Sequence, residues 1–156
     1  MGVKAYPTIK FFPKGSSTPE DYEGNRQQQA LVDFINEKAG THRMIGGGLD
    51  AKAGIIDSLD AIVEKSLGGD NYEKLSKELS KAAQGLKDKY AEYYVKAFTK
   101  VQATQGYAEK ELARLEGMIK KGGLAPAKLD DLTSRANILR SFAKSEEDKE
   151  NIKEEL

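Results

Sequence analysis

Val3-Lys4-Ala5-Tyr6-Pro7-Thr8-Ile9-Lys10-Phe11-Phe12-Pro13-Lys14-Gly15 opens the chain and decides how its first part is read. Ile9, Phe11 and Phe12 form an apolar, aromatic-rich run of the kind a mostly buried strand requires. Pro13 to Ser17 is a turn cluster. Thr18 to Tyr22 returns as a short second strand, weakened by Pro19 and so suited to a sheet edge. Glu23-Gly24-Asn25 turns the chain again. From Gln27 to Ala39 the apolar residues Ala30, Leu31, Phe34 and Ile35 recur at helical spacing, and Gly40 supplies the stop. Tyr6-Pro7-Thr8 has two readings. Pro7 is either a strand-start proline, whose missing N–H costs nothing there, or a cis-proline that leaves the Tyr6 backbone open to an extended substrate.

Outward from this strand–strand–helix segment, Gly40, Gly46, Gly47 and Gly48 crowd into a short stretch with Thr41, His42 and Arg43, which marks a linker or a backbone-shaped joint, and a domain boundary. No Gly-Lys-Ser/Thr follows, so the glycines do not form a phosphate-cradling loop. Everything beyond reads as helix. Ile55, Ile56, Leu59, Ile62 and Val63 give a short amphipathic helix stopped by Gly68-Gly69, and Asp70 or Asn71 can cap the next. Tyr72, Leu75, Leu79, Ala82, Leu86, Tyr90, Tyr93, Ala97 and Val101 make one long apolar stripe with Gly85 as a weak point. After Gly106, a face of Leu112, Leu115 and Ile119 ends at Gly122-Gly123. Pro126 suits the first turn of a last helix bearing Leu129, Leu132, Ala136, Leu139 and Phe142. Residues 144–155 are almost all charged and read as a frayed helix or mobile tail. The expected fold is mainly α, with a partial β-β-α segment over 1–40, a Gly-rich linker over 41–50, a bundle of about five helices over 51–143 and a charged tail over 144–156. The bundle is large enough to fold alone, whereas a hairpin and one helix bury too little.

Composition excludes several classes of function. Lys+Arg and Asp+Glu both number 25 in 156 residues, so no nucleic-acid footprint or membrane-binding polybasic patch is expected. No apolar run nears the roughly 18 residues that span a bilayer. Met1-Gly2-Val3-Lys4 runs directly into strand-like sequence, so no signal peptide is expected there. The chain has no cysteine and a single histidine, His42, which removes disulfides, thiol catalysis and Cys- or His-cluster metal sites from consideration. No metal or cofactor is expected, and His42 reads as a surface or linker residue.

The order of strand, Pro-Lys-Gly turn, short strand, Tyr22-Glu23-Gly24-Asn25-Arg26 and amphipathic helix resembles the C-terminal half of a thioredoxin-like domain, in particular that of the protein disulfide isomerase family. The resemblance implies that Pro7, between Tyr6 and Thr8, is the family's cis-proline beside the redox site, and that Arg26 is the arginine that favours thiolate in the buried cysteine. The half carrying Cys-x-x-Cys is absent, so this chain is expected to show no thiol–disulfide turnover of its own. Lys87 to Lys96 and Leu132 to Phe142 resemble the helical C-terminal domain of lumenal endoplasmic-reticulum chaperones. The last residues, Lys153-Glu154-Glu155-Leu156, are similar to the Lys-Asp-Glu-Leu retrieval signal, with Glu in place of Asp.

Tyr90, Tyr93, Tyr94 and Phe98 carry the remaining expectation. Spacing of three or four is core packing first of all, but adjacent Tyr93 and Tyr94 point about 100° apart and cannot share a face. The less buried of the two, with Phe98, is a candidate lining for a polypeptide-binding groove. The resemblance implies a lumenal endoplasmic-reticulum protein whose partners are unfolded polypeptide, a retrieval receptor and a possible second copy of itself. The chain's own part would be non-covalent polypeptide binding or domain scaffolding, the alternative being a purely structural dimerisation module.

Overall fold

The turn at Pro13–Ser16 closes as its residues require. Gly15 takes a φ of +81° and the Ser16 N–H donates to the Pro13 carbonyl at 2.9 Å. It joins β1 (Lys10–Phe11) to β2 (Glu20–Asp21) in an antiparallel pair, with Lys10 opposite Asp21 and Phe11 opposite Glu20. The structure, a computed structural model, describes residues 3, 5–67 and 71–154, with backbone alone for 67 and 144–154. Both strands are shorter than the sequence pattern suggested.

Helix α1 (Gln28–Ala39) ends where Gly40 adopts the left-handed conformation, φ 61° and ψ 38°. Its Phe34 ring meets Phe11 edge-on at 5.6 Å and Tyr22 at 4.8 Å. That aromatic trio is the centre of the first compact unit, Met1–Asp50. No described residue of this unit is buried, and Phe12 is 50% exposed. The strand expected to be mostly buried is therefore only half covered, since among the described residues of this unit one helix and one partner strand pack around it.

The glycine-rich stretch is a hairpin rather than a free linker. Arg43 and Leu49 form a β-bridge, the Met44 N–H donates to Gly48 C=O at 2.8 Å, and Gly46 and Gly47 take φ values of +92° and +89° at its tip. Asn36 of α1 fastens it. Its Nδ2 donates to the Arg43 carbonyl at 2.8 Å, while its Oδ1 accepts from the Arg43 N–H and the Thr41 hydroxyl, each at 2.9 Å.

The second unit, Ala51–Leu156, holds α2 (Asp57–Leu67), α3 (Tyr72–Gln84), α4 (Ala91–Ala103), α5 (Tyr107–Lys121) and α6 (Pro126–Glu154). Caps fall where the sequence placed them. The Asn71 side chain accepts the Lys74 N–H at 3.2 Å, Gly122 terminates α5, and Pro126 opens α6. The backbone of α6 continues through the charged stretch as far as Glu154. The expected stripe over 72–101 divides into two helices, the first ending at its C-cap Gly85, the weak point expected from the sequence. Asp88 takes the Tyr90 N–H on its side chain at 2.8 Å and the Ala91 N–H on its carbonyl at 3.1 Å, which starts a fresh helix. Leu86 falls between the helices and is exposed.

The core gathers Leu59, Ile62 and Val63 of α2, Leu75 and Leu79 of α3, Tyr94, Ala97 and Phe98 of α4, Leu115 of α5, and Leu132, Ile138, Leu139 and Phe142 of α6. The segment before α2 is locked onto α6. Gly54 has φ +83°, and a Cβ there would lie 2.6 Å from Ser134 Cβ and 3.1 Å from its Cα and carbonyl oxygen. Beside it, buried Asn137 donates from Nδ2 to the Ala53 carbonyl at 3.0 Å and accepts from Arg140 Nη1 at 2.6 Å. Gly54→Ala combines a left-handed non-glycine residue with a collision against helix backbone. It is expected to lower the stability of the helical unit by about 2–4 kcal/mol. Urea unfolding followed by far-UV circular dichroism measures this, and an unshifted midpoint would contradict the packing described.

Candidate functional site

Two places bear on function. The first is the corner around Pro7. The Tyr22 hydroxyl donates to the Asn25 carbonyl, its ring lying against Gly24, where a Cβ would approach to 2.7 Å. Asn25 Oδ1 then accepts the Gln27 N–H at 2.9 Å and begins α1. Between these two fixed points Arg26 reaches back across the sheet end, and its Nη2 donates to the Pro7 carbonyl at 2.8 Å. The Tyr6–Pro7 peptide bond is cis, and Thr8 Oγ1 donates to the Ala5 carbonyl. The structure thus brings Tyr6, Pro7, Thr8 and Arg26 to one corner. Tyr6 is 94% exposed there. A guanidinium tethered on a backbone carbonyl is a fixed positive charge, and this chain holds no thiol for it to act on.

The second place is the tyrosine cluster of α4. Tyr94 is completely buried, as is Phe98 at 3% exposure, so neither offers surface to a polypeptide. The expectation that Phe98 lines a groove is corrected here. Its ring stacks on Tyr72 at 4.9 Å and meets Phe142 at 6.4 Å, inside the core. The Tyr94 hydroxyl donates to Asp60 Oδ1 at 3.0 Å and lies 3.4 Å from the Ile56 N–H, which it accepts. Tyr93 and Tyr90 are half-buried. The Tyr93 ring lies beneath the Arg135 guanidinium at 5.0 Å, and its hydroxyl is buried without a hydrogen-bond partner among the described residues. Burial above all, and then the nearby Asp60, holds the Tyr94 phenol well above its ordinary pKa. Burial, followed by Tyr107 and Glu111, does the same to Tyr93.

The expected apolar stripe ran through Tyr93, whereas the structure buries Tyr94 completely and leaves Tyr93 half-buried. Asn137 and Gly54 were missed altogether. Their roles depend on where α6 meets the segment before α2, for which the sequence carries no local signal. Of the terminal tetrapeptide, Glu155 and Leu156 lie outside the described residues, as do the side chains of Lys153 and Glu154.

Residues 54–142 match the family described as endoplasmic reticulum protein ERp29, C-terminal domain. The chain belongs to this family. It is also 55% identical to protein disulfide-isomerase erp38 of Neurospora crassa, over 99% of this chain and 42% of that protein. To protein disulfide-isomerase tigA of Aspergillus niger it is 55% identical, over 95% of this chain and 40% of the relative. A plant relative, the probable protein disulfide-isomerase A6 of Medicago sativa, is 39% identical over 90% of the chain. The chain therefore spans about two fifths of the length of the curated relatives it matches. The ERp29 C-terminal match begins at Gly54, the residue that closes against Ser134, and ends at Phe142, the last buried aromatic of α6. The family segment thus coincides with the part of the chain that owns the core. Among the described residues, no helix is long and apolar enough to cross a membrane.

The phenols give a pH test. Their ordinary pKa is 10.0 and the folded protein raises it, so above about pH 10 the unfolded chain releases those protons first. Stability is then complete below that pH and falls as pH rises beyond it. Tyr94→Phe removes the Asp60 bond and leaves the Ile56 N–H unpaired, at an expected cost of about 1–3 kcal/mol near neutrality. The same substitution flattens the alkaline decline. Urea midpoints between pH 7 and 11 check both outcomes, and an unchanged alkaline slope in the variant would count against the buried-phenol account.

Proposed function

We propose that this chain is the C-terminal portion of a lumenal endoplasmic-reticulum protein of the disulfide isomerase family, and that it assists folding by holding non-native polypeptide without covalent chemistry. The observation that carries this reading is the pairing of a helical unit that has its own core with a sequence that contains no cysteine. Any help such a chain gives a folding partner comes from contact, since thiol–disulfide exchange needs a thiolate to attack. The larger protein would supply the dithiol, and the Pro7–Arg26 corner would be the part of its redox-site surroundings that this chain retains. The lumenal location is supported by the family match and by Lys153-Glu154-Glu155-Leu156, a near-copy of a retrieval signal that a receptor reads as an address.

A second reading, in which the chain serves as a structural dimerisation module, is favoured by one observation. Six of the seven exposed large hydrophobic side chains among the described residues lie in residues 3–45: Val3, Tyr6, Phe12, Ile35, Met44 and Ile45. Reduced, carboxymethylated α-lactalbumin separates the readings. On the chaperone reading the chain binds this permanently unfolded probe at micromolar concentration while insulin reduction stays at background. Self-association in sedimentation velocity without binding of the probe would establish the structural reading instead, and insulin-reducing turnover would overturn both.

A further inference from the structure

Between the end of α3 at Gln84 and the start of α4 at Ala91 the helical unit opens into a cleft of about 460 Å³. That volume falls within the roughly 300–1,000 Å³ usual for ligand sites. Ala83, Leu86, Ala91 and Val95 make its apolar lining. Leu86 is 38% exposed, and it is the one large hydrophobic side chain left exposed among the described residues of this unit. α3 ends at its C-cap Gly85, and Leu86 follows it outside the core.

The polar part of the lining has a sign. Asp88 and Glu92 contribute two carboxylates against the single ammonium of Lys96. Asp88 is held in place by the Tyr90 N–H at 2.8 Å. Glu92 and Lys96 are 3.7 Å apart but both largely exposed, and solvent leaves such a pair weak, so an incoming cation can replace Lys96. Lys89 does not line the cleft: its ammonium lies 4.7 Å from the centre of the Tyr90 ring, although Asp88 also acts on it.

We propose that this α3–α4 cleft is where the helical domain holds non-native polypeptide, and that it selects segments in which a branched aliphatic or aromatic side chain lies next to a lysine or arginine. The proposal rests on the polypeptide-binding reading above and gives it a site and a preference. The apolar side chain packs against Leu86, Val95 and the two alanines, while the neighbouring cation meets Asp88 and Glu92. The site is distinct from Tyr94 and Phe98, which the core has already used.

Fluorescence anisotropy on the full chain tests this with two labelled peptides, GSGKLFKGS and its acidic counterpart GSGELFEGS, and with carboxymethylated α-lactalbumin. Leu86→Ser and Glu92→Lys both alter exposed side chains, and a thermal melt by circular dichroism verifies that each still folds. The basic peptide is expected to bind at least tenfold more tightly than the acidic one. Each substitution should weaken its binding about fivefold or more. Equal affinity for the two peptides, a preference for the acidic one, or wild-type affinity in both variants would overturn the proposal. If α-lactalbumin still binds to both variants unimpaired, the cleft is wrong and the broader reading stands. If the wild-type chain binds neither peptide nor α-lactalbumin, both fail.

Discussion

The close contact between Gly54 and Ser134 is the constraint on which the helical unit depends. It lets backbone lie directly on α6, and this proximity is what allows Asn137 to reach the Ala53 carbonyl. The chain leaves that contact towards the start of α2, where the Tyr94 hydroxyl accepts a hydrogen bond from the Ile56 N–H and donates one to Asp60. Buried polar groups that lack partners cost more than their hydrogen bonds return, so these few bonds act together. They fix where α2 begins, and with it the arrangement of Leu59, Ile62 and Val63 against α3, α4 and α6.

The first unit is organised on a smaller scale. An aromatic trio, the Asn36 bonds to the glycine hairpin, and cross-strand pairs such as Lys10 with Asp21 hold it together, yet none of its described side chains is buried. Exposed ion pairs add little to stability. The Pro7–Arg26 corner therefore has sound local geometry on a weakly supported base. This asymmetry explains why the helical unit is the better place to look for what the chain does alone.

Much of this was legible in the sequence because it is locally encoded. Gly40, Asn71, Gly122 and Pro126 mark helix ends through backbone chemistry that needs no tertiary partner. The 3.6-residue period likewise found most of the core of α6. What escaped depends on contacts between distant segments. Leu86 fits the period of α3 and α4, but α3 ends at its C-cap Gly85 and leaves it between the two helices. Phe98 and Tyr94 read as core first and as groove lining second, and contacts with Tyr72, Phe142 and Asp60 assign them to the core. The glycine stretch read as a linker because the bonds that order it come from Asn36, outside the stretch itself.

The central claim is that two units of very different stability share this chain, and that the helical one folds on its own core. Native-state hydrogen exchange, followed residue by residue in low denaturant, tests it most directly. The account predicts that core amides of α2 to α6 exchange only through complete unfolding of that unit. Those of α1 and the β-pair should exchange through far less costly local opening. A single, uniform opening free energy across residues 10–142 would contradict it.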